Sequence, residues 1–191
     1  MSTVERPLIG VTMGDPAGIG PEITLRAVSR PEVQAACRPV VVGSSHALQL
    51  ARGVCEVEVE LRIIADPSEG DYRPGILNLI DLDNIDRERF AFGQVSAMAG
   101  RAAVDYVEKA VSLVQAGKVA GIATGPIHKE AIKAAELEAR LARLAALADG
   151  TQAQREGARL DLAAQPQPLW LGQALDVRLV CADAAGRPLP G

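Results

Sequence analysis

Fifteen residues near the N-terminus, Ile9-Gly-Val-Thr-Met-Gly-Asp-Pro-Ala-Gly-Ile-Gly-Pro-Glu-Ile23, restrict the fold more than any other stretch. An apolar run stops at Gly14, a glycine-rich turn follows, and Pro21-Glu22 open a helix. Strand, tight turn and helix N-terminus are thus packed into one short segment. The first amides of a helix have no partner within it and carry partial positive charge, so such a corner favours an anionic group. The same residues also suit a turn that merely joins a strand to a helix.

The rest of the chain repeats the alternation. Strands are predicted at Leu8–Thr12, Pro39–Gly43, Val57–Ile64, Ile76–Ile80 and Val119–Ala123. Helices are predicted at Glu22–Val28, Glu32–Ala36, His46–Arg52, Ala97–Ala116 and from Glu130 onward. Ser44 and Ser45 offer a hydroxyl cap, which makes His46 a helix-start residue. Ala99, Ala102, Ala103, Tyr106, Val107, Ala110, Val111 and Val114 recur at helical spacing, with small residues that suit close packing. This pattern predicts an α/β fold with a mainly parallel sheet flanked by helices.

Composition narrows the function. Aromatics make up only 3% of the 191 residues, so Ala, Val, Leu and Ile must build the core. A net charge of −4 without a basic stripe points away from nucleic acid. No basic, apolar leader opens the chain and no run of about 20 apolar residues occurs. A cytoplasmic protein with no membrane partner is therefore expected. Cys37, Cys55 and Cys181 show no metal-type spacing and are read as buried reduced thiols.

Ligands of open parallel sheets bind beyond the carboxyl ends of strands. Two loops qualify. The first, Gly14 to Pro21, lacks both G-x-G-x-x-G and the Gly-Lys-Ser/Thr ending of a phosphate loop. It offers Gly18 and Gly20, with Asp15 placed to orient a ligand hydroxyl or amine, or to cap the helix. The second, Thr124-Gly-Pro-Ile-His-Lys129, offers a hydroxyl, an imidazole and an ammonium. His128 suits proton transfer, because imidazole titrates near neutral pH. Lys129 suits a phosphate or carboxylate. A surface cap with a solvated lysine is the plainer reading of this loop.

These two motifs, Gly10-Val-Thr-Met-Gly-Asp-Pro-Ala-Gly-Ile-Gly-Pro-Glu22 and Ala123-Thr-Gly-Pro-Ile-His-Lys129, together resemble the 4-hydroxythreonine-4-phosphate dehydrogenase family of pyridoxal-phosphate biosynthesis. Gly93-Gln-Val-Ser-Ala-Met-Ala-Gly100 is similar to the same family in the same order. The resemblance covers residues 7 to 135 and implies an isocitrate/isopropylmalate dehydrogenase-like architecture, present here incompletely. It implies NAD-dependent oxidation, with decarboxylation, of 4-phosphohydroxy-L-threonine, assisted by a divalent metal (Zn, Mg or Co). Relatives act on D-threonate 4-phosphate or an aromatic cis-dihydrodiol carboxylate, and family members are homodimers. On this resemblance Asp15 and His128 are the expected catalytic residues, and Gly18, Gly20, Thr124 and Lys129 the expected substrate-binding ones. A non-catalytic anion-binding or partner subunit is the alternative.

The pattern breaks after Ala135. Where the family has Gly-His-Thr-Glu, this chain has Glu136-Leu-Glu-Ala-Arg-Leu-Ala-Arg. No histidine follows His128, so the family's three metal-binding histidines have no counterpart and no metal ligand is expected. Residues 136–191 form an Ala/Arg/Leu-rich tail, expected as a helix over Glu136–Leu147, a loose Thr151–Pro168, a strand at Asp176–Cys181 and a frayed end. A truncated or frame-shifted product is the expectation, testable by sequencing the locus for Gly-His-Thr-Glu codons in another frame.

Overall fold

The apolar run at Leu8 does form a strand, and four others assemble around it. The computed structural model describes residues 6–148. Strands β1 (Leu8–Thr12), β2 (Arg38–Gly43), β3 (Glu60–Ile63), β4 (Ile76–Asp81) and β5 (Gly121–Thr124) make one sheet. Its order is β3-β4-β2-β1-β5, and every pairing is parallel. Helices α1 (Gly20–Val28), α2 (Pro31–Ala36), α3 (Ser45–Cys55), α4 (Ala97–Gln115) and α5 (Lys129–Ala148) connect or flank them. This is the α/β, parallel-sheet fold that the alternation predicts.

Parallel strands covered on both faces are apolar throughout. β2 meets that condition: Val40, Val41 and Val42 are all fully buried, although neighbouring side chains point to opposite faces. α4 packs across β1, β2 and β5. It sits close because β1 carries Gly10 beneath it; a Cβ there would lie 4.0 Å from the Ala110 Cβ and 3.6 Å from Val119. α1 and α3 pack on each other and bring Leu25, Val28, Leu48 and Ala51 into the same core.

Several predicted boundaries move. α1 starts at Gly20, before Pro21, since proline fits the first turn, where its missing N–H is not needed. α3 runs on to Cys55 and ends where Glu56 turns left-handed, with φ +52°. That turn delays β3 until Glu60, which pairs with Ile76, so Val57–Val59 is not strand. β5 is shifted to Gly121–Thr124, because the Lys118 N–H still bonds back to the Leu113 carbonyl of α4 and the chain first meets β1 where the Ala120 N–H donates to the Leu8 carbonyl. The two helical stretches predicted after His128 are one helix, α5. Cys55 is buried and free, but Cys37 is only half-buried, its thiol donating to the Val33 carbonyl. The features expected at Thr151–Pro168, Asp176–Cys181 (with Cys181) and the C-terminal end lie outside the described residues. Among the described residues no helix is long and apolar enough to cross a membrane.

The chain runs from β1 to β2 on one side and later returns to place β5 on the other. The carboxyl ends of β1 and β5 are therefore the switch point at which such sheets bind ligands.

Candidate functional site

Both glycine-proline loops leave from this switch point. Thr12 at the end of β1 is in register with Thr124 at the end of β5, so Met13–Ile19 and Gly125–His128 emerge side by side. Two backbone hydrogen bonds tie them. The Gly125 N–H donates to the Thr12 carbonyl at 2.9 Å, with the buried Thr12 hydroxyl oxygen at 3.2 Å. The Asp15 N–H donates to the Pro126 carbonyl at 2.9 Å.

Glycine makes this approach possible. Gly14 has φ +78°, and a Cβ on it would lie 2.3 Å from the Pro126 oxygen. A Cβ on Gly125 would lie 2.5 Å from the Met13 oxygen. No side chain fits either gap, so the two corners touch backbone to backbone. Gly20 also backs onto the Met13 oxygen, whereas a Cβ on the exposed Gly18 would meet Asp15 only at 3.6 Å.

The side chains divide into an inner and an outer set. Asp15 is 5% exposed, and its Oδ1 accepts the Ala17 N–H at 2.9 Å, the geometry of an Asx turn. Its charge is felt inside the protein: the fully buried Tyr106 phenol is pushed far above its usual range, first by burial, then by Asp81, Asp105 and Asp15. Asp15 thus braces loop 1 from below. Thr124, His128 and Lys129 are all exposed. The His128 carbonyl accepts the Ile132 N–H at 3.2 Å, which places His128 at the start of α5. Lys129 is the first residue of that helix, where the helix dipole works against a cation and favours an anion beside it. At α1 the first-turn amides receive no side-chain cap, though Glu22 brings an acid to the same turn.

A third segment joins the site that the sequence reading passed over as polar and irregular. The Gly93 N–H donates to the Ala17 carbonyl at 2.7 Å, clamping loop 1 from the β4–α4 connection. Phe90 packs edge-on against Phe92, with ring centres 5.2 Å apart, and against His46 at 5.5 Å. His46 sits in the first turn of α3, as expected, with Ser44 as the cap and the Ser45 N–H donating to Asp81. Two phenylalanines, the chain's whole complement, lie three residues or fewer from Gly93; that concentration was the available signal.

The described residues do not fit a divalent metal. Among the described residues no three His, Cys, Asp or Glu side chains converge as ligands. A catalytic zinc takes three such ligands.

Comparisons with known proteins show the family and the fold of the chain. The family model of the pyridoxal phosphate biosynthetic protein PdxA matches residues 35–160. A Symbiobacterium thermophilum protein assigned as a D-threonate 4-phosphate dehydrogenase is 46% identical over 133 residues, 70% of this chain and 40% of the relative. The crystal structure of a 4-hydroxythreonine-4-phosphate dehydrogenase from Burkholderia phymatum is 42% identical, with a TM-score of 0.65 over 68% of this chain and 39% of that one. A terephthalate 1,2-cis-dihydrodiol dehydrogenase from Burkholderia xenovorans is 27% identical, with a TM-score of 0.54 over 68% of this chain and 37% of that one. The chain spans about 40% of the length of the curated relatives it matches.

Proposed function

Because the chain belongs to the PdxA family, whose relatives are dehydrogenases of phosphorylated hydroxy acids, we propose that it carries one wall of such an enzyme's substrate site. The observation that supports this most is the pair of backbone contacts, Gly125 to Thr12 and Asp15 to Pro126, which fix both loops around one crevice. The substrate class is 4-phosphohydroxy-L-threonine or D-threonate 4-phosphate, and the hydride acceptor is NAD.

The roles follow from exposure. Lys129 holds the phosphate or carboxylate as a point charge, and the Thr124 hydroxyl hydrogen-bonds the substrate beside it. His128 moves a proton to or from the substrate hydroxyl. In the Gly18–Gly20 turn the Gly18 amide already donates to the Asp15 carbonyl, and its lack of a side chain lets the anion approach the start of α1. Asp15 acts one layer down, holding that turn in shape. The divalent metal that the resemblance implies supplies Lewis-acid chemistry where it is bound, and the described residues do not form a ligand set for it. Dimerisation and a cytoplasmic setting belong to the same reading.

A second reading, anion binding without turnover, is favoured by the exposed hydroxyl, imidazole and ammonium of loop 2, which can hold an anion without a metal. One experiment separates the two. The full chain is given NAD, Zn, Mg or Co, and either phosphorylated acid. NAD reduction that His128→Asn abolishes supports the enzyme. Binding of the acid without reduction supports the module. Neither binding nor reduction contradicts both.

A further inference from the structure

The connection between β4 and α4 is a strap that meets loop 1 midway along its length. It leaves β4 beside β2, where the Leu82 N–H donates to the Gly43 carbonyl at 3.0 Å. It ends at Ser96, the cap of α4. Between these ends Gly93 donates to Ala17 of loop 1. Gly93 has φ +76°, and a Cβ on it would meet nothing within 4 Å. Backbone conformation, not space, asks for glycine there. Phe92, Gly93 and Gln94 are all exposed. A hydrogen bond in so exposed a segment opens readily unless other contacts hold the segment in place.

Aromatic rings supply that hold. Phe90 and Phe92 pack edge to face at 5.2 Å, and Phe90 meets the His46 imidazole at 5.5 Å with the ring planes 77° apart. Edge-to-face pairs of this kind attract beyond the area they bury. Phe90 also packs against the core. His46 is a firm support. Buried Ser44 and Ser45 precede it, fully buried Ala47 and Leu48 follow it, and the Ser44 hydroxyl and Asp81 accept the Ala47 and Ser45 N–H groups on either side. At the other end Ala17 is buried and its N–H donates to Asp15. The contacts thus run from His46 through Phe90, Phe92 and Gly93 to Ala17 and Asp15. We propose that His46 is a positioning residue for the substrate site: its ring, acting through two phenylalanines, seats Gly93 on Ala17 and fixes loop 1 for the anion. This rests on loop 1 being one wall of that site.

Amide exchange and calorimetric titration of the full chain test it, with His46→Ala, His46→Asn and His46→Phe. Without ligand, the Ala and Asn variants exchange the Gly93 amide about tenfold faster while the amides of β2 keep their rates. Both bind D-threonate 4-phosphate about threefold more weakly. His46→Phe restores protection and affinity, because it returns a ring; a proton-transfer or ligand role for the imidazole would not be rescued by phenylalanine. Phe92→Ala, at an exposed ring, carries the same test where His46→Ala fails to fold. Gly93 exchange unmoved by these variants, rescue by Asn in place of Phe, or faster exchange with unchanged affinity would each overturn the proposal. A wild-type chain that does not bind the acid contradicts the reading of the site, and the exchange rates still decide whether His46 seats the clamp.

Discussion

Gly14 and Gly18 lie four residues apart in one loop and are expected to respond oppositely to the same change. Gly14→Ala forces a side chain into a left-handed position and against the Pro126 oxygen. The conformational term alone is about 1 kcal/mol, and the clash adds to it. The expected loss is 3 kcal/mol or more on the order-of-magnitude scale of overpacked sites, read by urea denaturation. Gly18→Ala meets Asp15 at an ordinary contact distance and should stay within about 0.5 kcal/mol. Equal effects would show that the corners do not touch. Gly14 was legible as a glycine that ends a strand. The reason it must be glycine was not, because its partner belongs to a loop more than a hundred residues away, as the Thr12–Gly125 contact shows. Asp15 shows the same limit: its type suited a ligand or a cap equally, and only its burial and the Ala17 contact reveal the turn it braces.

Among the elements, α4 and the Lys118 turn after it give separable tests. Ser96 caps α4, its Oγ accepting the Ala99 N–H at 3.2 Å. Ser96→Ala should cost about 1 kcal/mol, measured by thermal unfolding. The turn after α4 is tied to the 3-10 turn at Pro67–Glu69 by Lys118, whose ammonium donates to Asp66. That bond, with the Ser68 amide and hydroxyl, holds the Asp66 carboxyl well below the usual carboxylate range. A carboxyl with a lowered folded-state value stabilises above the ordinary range, about 3.9. The contribution is lost as pH falls through the folded value. The wild type should therefore lose more stability below about pH 4 than Asp66→Asn does; parallel acid-unfolding curves would contradict the link. The helical spacing of small residues in α4 was readable because packing on a sheet demands it. The ends of β3 and β5 were not, since the left-handed Glu56 and the turn at Lys118 set them through tertiary pairing.

For the molecule as a whole, strand order carries the functional argument. Alternating apolar runs made a parallel sheet legible, but no local pattern states that β5 lies beside β1. The sequence placed both glycine-proline loops at carboxyl ends of strands without saying that those strands are neighbours; the β1–β5 pairing supplies that. The β4–α4 connection, with Gly93 and the Phe90–Phe92 pair, was missed because its contacts to loop 1 exist only in three dimensions. If loop 2 holds the anion, Lys129→Ala should weaken binding of D-threonate 4-phosphate by about three- to tenfold, an effect that shrinks at high salt. Calorimetric titration at two salt concentrations reads both.

The most direct measurement follows the backbone amide resonances of the chain during titration with D-threonate 4-phosphate. Gly18, Gly20, Gly125, His128 and Lys129 should shift together and yield one dissociation constant, since both loops border a single crevice. Shifts confined to one loop, or two unrelated constants for the two loops, would contradict the account.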